Sequence, residues 1–293
     1  MQAGGFIASI KSAGSPLERV RRYIDRFAVP DAPGSRLPSQ PTTYPSFPGL
    51  RHRPFHRAGE FPAAAALETA FPQILTEAKA LGRSREHEYS PLPRLLMRLL
   101  ALGIRDLRRI DWGVYPLCYM GVGTDSDPPA CPATVGVVES LQDVCLRYPW
   151  GDALISVQRP RSKLPAHSSI DNLRVRCHLG IAIPQASGIT VDGKDRTWQE
   201  GHCLLFEDSF VHEAWNDSDR DRVVLIVDLW HPDLTSIERE ALTAGFRKRE
   251  IRSLFMRERI SRVTRPERYI DLVERDLTAE ARDPLIRKYW PSA

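Results

Sequence analysis

Hydrophobic and polar positions divide the chain into stretches of different period. Residues 15–28, SPLERVRRYIDRFA, place apolar side chains at helical spacing behind Ser15 as N-cap and Pro16 at the first helical position, which predicts a short helix. Residues 29–56 are rich in proline and carry YPSFPGLRHRPFH, an extended connector. Helical periodicity returns over 61–80, with Leu67, Phe71, Ile74 and Leu75 on one side, and a further helix is predicted over 90–103. From Trp112 the period shortens. Strand-like pieces run through DWGVYPLCYMG, DALISVQ, LRVRCHLGIAI, GITV, HCLLFED, VHEAW and RVVLIVDLW, with one helix near CPATVGVVESLQDV. Short strands at close spacing, separated by Gly, Asp and Pro turns, predict an antiparallel sandwich or barrel. After HPDLT, with Thr235 as a cap, helix is predicted through Phe255 and again near 266–276. The expected plan is a helical and proline-rich region over 1–110, a β core over 111–235 and a helical extension over 236–293.

Composition narrows the class. At 293 residues, 42% apolar and 27% charged, the chain has the profile of an ordinary globular protein able to bury a substantial core. With 41 basic against 37 acidic side chains the formal net charge is only +4. The basic residues of the tail, from Arg247 to Arg268, interleave with Glu250, Glu258, Glu267 and Asp271, the pattern of a solvated helical face. No nucleic-acid partner is therefore expected. No apolar run approaches the length of a bilayer span, so stable membrane insertion is not expected either, and the start lacks the basic region of a signal peptide. Five cysteines without CxxC spacing read as reduced core thiols, which points to a cytoplasmic location.

Candidate chemistry gathers between His167 and His231. Imidazoles suit a borderline transition metal, and guanidinium groups suit carboxylates. Arg174, Arg176 and His178 alternate with Val175 and Cys177, so one face of that strand is polar and the other apolar, as a barrel lumen requires. His202, in the EGHC turn, is expected at the surface, and His231, before Pro232, is expected to shape a turn. His52, His56 and His87 carry no assigned role, and Trp198, Trp215 and Trp230 read as walls of the core or lumen.

The runs VRCHLGIAIP, RTWQEGHCLLFEDSFVHEAWN and RVVLIVDLWHPDLT closely resemble the aspartyl/asparaginyl β-hydroxylase family, most strongly from Ser156 to Thr235, with YPSFPGL and CPAT extending the likeness upstream. The resemblance implies a double-stranded β-helix (jelly roll, cupin-like) core in a mainly β protein with flanking helices. It implies an Fe(II)- and 2-oxoglutarate-dependent dioxygenase that consumes O2. By that likeness His167 and His212 match the iron ligands. Arg222 and Ser156 match the pair that holds the distal carboxylate of 2-oxoglutarate, and Arg176 and His178 match the pair near its metal-side carboxylate and the reacting end of the substrate. Asp208 matches an acidic residue near metal-bound water, and Arg174 is a candidate for a substrate carboxylate. Guanidinium forks and a serine hydroxyl are apt for carboxylates on physical grounds as well.

Iron oxygenases commonly add a carboxylate two residues after the first histidine. That position is Ser169 here, and Asp171 lies further on; the family also lacks this carboxylate. Two protein ligands are expected, with Asp171 or Asp208 as a rival third. Leu154 stands where some relatives carry lysine. The implied reaction is hydroxylation of an unactivated C–H bond, at the β-carbon of an Asp or Asn unit in a peptide, a carrier-bound residue or a small molecule. An acyl-chain hydroxylase of lipid A or ornithine-lipid type, and a non-catalytic jelly-roll binding protein, are the competing expectations.

Overall fold

A computed structural model describes residues 15–28, 37–42, 44–83, 111–119, 122–123, 131–146, 148 and 151–247. The helices expected at 90–103 and 266–276, and His87, lie outside the described residues.

Eleven strands form two antiparallel sheets among the described residues: β1 (Phe55–His56), β2 (Trp112–Tyr119), β3 (Val122–Gly123), β4 (Ala153–Gln158), β5 (Ser162–His167), β6 (Arg174–Ala182), β7 (Ser187–Val191), β8 (Lys194–Arg196), β9 (Cys203–Phe206), β10 (His212–Asn216) and β11 (Arg222–Trp230). The larger sheet has the order β1-β9-β6-β11-β4-β2-β3 and the smaller β5-β10-β7-β8. From β4 onward the chain passes back and forth between the sheets. This is the double-stranded β-helix, established by strand order alone. The Asp192–Gly193 turn joining β7 to β8 has φ of 50° and 70° at its two residues, the backbone that a two-residue primed hairpin demands.

Three apolar clusters place the site. Val114, Leu154, Ile189, Trp198, Phe206, Phe210, Val224 and Ile226 fill the space between the sheets. On the outer side of the large sheet, Val175, Cys177, Leu179 and Ile181 of β6 pack under α2 (Pro62–Thr69), α3 (Phe71–Arg83) and α4 (Pro132–Ser140). Both faces of β6 are thus covered, and its polar residues have nowhere to point but inward. The third cluster joins α1 (Glu18–Ala28), the segment around Phe47 and α5 (Ser236–Arg247). No helix among the described residues is long and apolar enough to cross a membrane. All five cysteines are free thiols.

Two expectations change. The helix over 61–80 is two helices, broken at Ala70, whose carbonyl accepts from both Gln73 and Ile74. The restart puts Pro72 in a first turn, where its missing N–H costs nothing. The strand β5, with the sequence SKLPAH, has no strand-like pattern; its proline and lysine are tolerated because it is the edge of the smaller sheet.

That edge strand carries an irregularity with consequences. Ala214, Trp215 and Asn216 pair with Leu164, Lys163 and Ser162, but His212 pairs with His167 after a register shift. One extra residue therefore lies in β5 between Leu164 and His167. Leu164 packs into the lumen cluster. In an unbroken strand of period two, His167 would point to the opposite face; the bulge returns it to the lumen.

Candidate active site

Two imidazoles face each other at the mouth of the lumen. The rings of His167 and His212 have centroids 4.1 Å apart at an interplanar angle of 51°. His167 Nδ1 donates to the Pro165 carbonyl at 2.7 Å, and His212 Nδ1 donates to the Phe210 carbonyl at 2.9 Å. Each ring thus holds its proton on Nδ1 and presents a lone pair on Nε2, the tautomer a metal ligand needs. Burial pushes the His167 imidazole down to about 4, against the opposing pull of its bond to Pro165. Burial and the neighbouring His167 hold His212 well below its ordinary value. Both are neutral near pH 7.

Next along β6 lies a buried ionic network. Asp228 accepts from Arg176 Nε and Nη2 at 2.8 and 2.9 Å and from Arg174 Nη1 at 2.8 Å. Arg174 also reaches Asp171 at 3.2 Å and donates to Ser169 Oγ at 2.6 Å. Asp171 takes a further hydrogen bond from the Tyr148 hydroxyl at 3.0 Å and one from the Leu173 N–H at 3.1 Å. Asp171 is thus fully occupied away from the histidines, as a support for Arg174. Arg176 Nε lies 3.3 Å from Asp208. Asp208 Oδ1 is buried without a hydrogen-bond partner. Burial pushes the Asp208 carboxyl up, against the attraction of Arg176 and Arg174. Burial also opposes ionisation of Asp228, but Arg176 and Arg174 outweigh it and hold that carboxyl low.

The far end of the lumen is different in kind. Arg222, 2% exposed, stacks on the Trp198 ring with its guanidinium carbon 4.7 Å from the centroid. Its Nη2 donates to the Gln158 side-chain carbonyl, while its Nε has no partner. Among the described residues no carboxylate lies within ion-pair range of it. Burial alone pushes this guanidinium down to about 9. His178, with Ile226 as its cross-strand partner on β11, accepts from the Trp198 indole N–H at 3.2 Å on Nδ1 and has no partner on Nε2. Burial, then the Arg222 and Arg176 charges, keep it neutral. Ser156 Oγ accepts from the Trp112 indole N–H at 2.8 Å. The loop carrying Trp198 is held close to β6, since a Cβ on Gly180 would sit 2.3 Å from the Gln199 carbonyl.

A second histidine cluster lies around Glu207. His52 Nδ1, His56 Nε2 and the Arg53 N–H meet its carboxylate at 2.9, 3.0 and 2.8 Å, and Gln40 Nε2 does so at 2.8 Å. His231 Nε2 stands 3.6 Å away, too far for a hydrogen bond. Ligand atoms of His52, Glu207 and His231 lie within 4.8 Å of one another, the composition of a two-His, one-carboxylate metal site. Their protons say otherwise. The outer nitrogens accept from N–H donors: Asn172 Nδ2 on His52 at 3.3 Å, Arg53 Nε on His56 at 3.1 Å and the Asp233 N–H on His231 at 3.2 Å. Asn172 cannot flip, because its Oδ1 accepts from the Phe47 N–H at 2.9 Å. Each neutral ring must then hold its proton toward Glu207, where a metal would need a lone pair. This cluster is a hydrogen-bonded clamp that fastens the connector to the barrel. The His167/His212 pair has the opposite polarity.

A sequence profile of the family described as aspartyl/asparaginyl beta-hydroxylase matches residues 68–232. The chain belongs to this family. Among similar proteins, aspartate beta-hydroxylase domain-containing protein 2 of Rattus norvegicus is 33% identical over 209 residues, covering 70% of this chain and 56% of the relative. Its Xenopus tropicalis counterpart is 38% identical over 139 residues, covering 46% and 38%. The aspartyl/asparaginyl beta-hydroxylase of Mus musculus is 35% identical over 137 residues, covering 46% and 18%. The chain thus spans about half or less of the length of these relatives. Among solved structures, a Pseudomonas putida prolyl-4-hydroxylase is similar at 13% identity with a TM-score of 0.35, covering 58% of this chain and 100% of that one.

Within the family match, the lumen brings together His167, His212, Arg176, His178, Asp208, Ser156 and Arg222. Arg174 borders them but is tied to Asp171, Asp228 and Ser169. His202 is exposed as expected, whereas His231 is buried in its turn. Gln158, Trp112 and Asp228 carried no assigned role in the sequence. Period-two spacing flags Gln158 two residues after Ser156 and Asp228 on the face of Arg222; nothing local flags Trp112.

Proposed function

We propose that this chain is an Fe(II)- and 2-oxoglutarate-dependent hydroxylase with His167 and His212 as its two protein iron ligands. When bound, the iron supplies the activation of dioxygen. The residues present fit these groups: two Nε2 lone pairs aimed into the lumen, and donors without partners on His178 and Arg222.

The observation that carries the reading is the unpaired Arg222. A buried cation without an anion is costly, and proteins hold one where an anionic ligand completes the pair. A dicarboxylate chelating the metal at one end needs a fixed cation at the other. In this reading Arg222 and the Ser156 hydroxyl hold the distal carboxylate, and His178 Nε2–H holds the metal-side carboxylate. Arg176, stiffened by Asp228, lines the reacting end. Asp208 Oδ1 is an acceptor for the proton of metal-bound water. Arg174 stays outside this set, since its donors serve Asp171, Asp228 and Ser169. The target class is the β-carbon of an Asp or Asn unit, which is the activity that the relatives' names describe.

Anaerobic titration of the Fe(II)-loaded protein with 2-oxoglutarate, followed by its charge-transfer absorption, tests the reading. One equivalent should bind, and succinate should form on admitting O2. Binding that persists unchanged in His167→Ala/His212→Ala and in Arg222→Ala refutes it.

A further inference from the structure

Two indole N–H groups donate to polar groups of the lumen: Trp112 to Ser156 Oγ at 2.8 Å and Trp198 to His178 Nδ1 at 3.2 Å. An indole N–H can only donate. His178 Nδ1 must therefore present a lone pair, and a neutral imidazole then carries its hydrogen on Nε2. That atom is buried and has no partner. Ser156 has one hydroxyl hydrogen, and with the Trp112 N–H on one oxygen lone pair that hydrogen must turn elsewhere. Arg222 adds its unpaired Nε, held against the Trp198 face.

The acceptor nearest to hand is already engaged. Gln158 gives its carbonyl oxygen to Arg222 Nη2, and its amide N–H groups go to the Ser162 and Ala214 carbonyls at 3.0 and 3.3 Å. His178 Nε2 and Arg222 Nε thus offer a ligand donors, while Ser156 keeps a second lone pair beside its hydroxyl hydrogen.

We infer that Trp198 is a positioning residue that locks His178 as the Nε2–H tautomer, so that this buried imidazole can only donate to an anionic ligand. The inference rests on the 2-oxoglutarate reading of this pocket. Without Trp198, His178 can move its proton to Nδ1 and turn an acceptor toward the ligand. A carboxylate accepts from the Nε2–H, whereas a lone pair in its place would face the carboxylate unpaired.

Two measurements on the full chain test this. In metal-free protein labelled with ¹⁵N-histidine, imidazole ¹⁵N–¹H correlations should show His178 as the Nε2–H tautomer, and Trp198→Phe should populate Nδ1–H. In Mn(II)-loaded protein, Trp198→Phe should weaken 2-oxoglutarate binding about tenfold, with an unchanged far-UV spectrum. The His178 tautomer of the parent protein keeps the test available if the Trp198 variant fails to fold. An Nδ1–H tautomer in the parent protein overturns the inference whatever the binding data show. So does unchanged 2-oxoglutarate binding in a folded Trp198→Phe protein. If the parent protein does not bind 2-oxoglutarate while His178 is Nε2–H, the co-substrate reading falls, although the tautomer assignment stands.

Discussion

Arg174 and Arg222 are both buried arginines of the lumen, and exchanging each for methionine should have opposite consequences. Arg174 is paired with Asp171 and Asp228. Arg174→Met strips Asp171 of its cation and leaves Asp228 with Arg176 alone, so a loss of about 3 kcal/mol or more is expected. Arg222 has no such partner. Its depression to about 9 by burial corresponds to roughly 5 kcal/mol of uncompensated desolvation. Stacking on Trp198 returns about 2 kcal/mol, and the bond to Gln158 about 1 kcal/mol. The residue, about 2 kcal/mol, is relieved in Arg222→Met, while the stranded Gln158 carbonyl costs about 1–3 kcal/mol. The two nearly cancel, so the metal-free variant should unfold within about 1 kcal/mol of the parent in urea. Ligand linkage should separate the proteins in the other direction. At a hundred times its dissociation constant, 2-oxoglutarate should stabilise the Mn(II)-loaded parent by about 2.7 kcal/mol and Arg222→Met hardly at all. The reasoning is refuted if Arg222→Met loses as much stability as Arg174→Met, or if 2-oxoglutarate stabilises it as fully as the parent.

Three further outcomes are expected. His167 and His212 have folded-state pKa values below those of the unfolded chain, so the unfolded state binds more protons; stability should be fully present above about pH 6.5 and fall toward about 4. Urea melts between those limits should lose up to about 1.4 kcal/mol per pH unit for each ring, and a double Asn variant with the same slope would sink this. Glu207→Gln should cost about 3 kcal/mol by disordering the donors converging on it, yet leave metal stoichiometry unchanged; metal analysis showing a lost equivalent would instead make the Glu207 cluster a metal site. Deleting Ala166 should remove the extra residue of β5 and leave His167 two positions after Leu164, in regular register with His212 and still facing the lumen, so tight metal binding should survive; binding lost by calorimetry would show that the strand does not keep period two between Leu164 and His167.

Much of the molecule was legible along the chain because its signals are local. Period-two runs such as RVVLIVDLW mark strands, and the alternation of Arg174, Arg176 and His178 with Val175 and Cys177 marks a strand with one polar face. The text around WQEG and FEDSFVHEAWN names the family, and with it the side chains that share the lumen. What the chain could not reveal depends on partners remote in sequence. The strand that bears His167 has no strand pattern, and its bulge exists only against β10. Whether an arginine is free or occupied turns on Asp228 being opposite Arg176 and on no carboxylate being opposite Arg222. Which histidines can take a metal turns on hydrogen-bond polarity: carbonyls behind His167 and His212, N–H donors behind His52 and His231. Residue types and their periodicity are properties of the chain, whereas the direction of a proton is decided by whichever donor or acceptor folding brings to the other side of the ring.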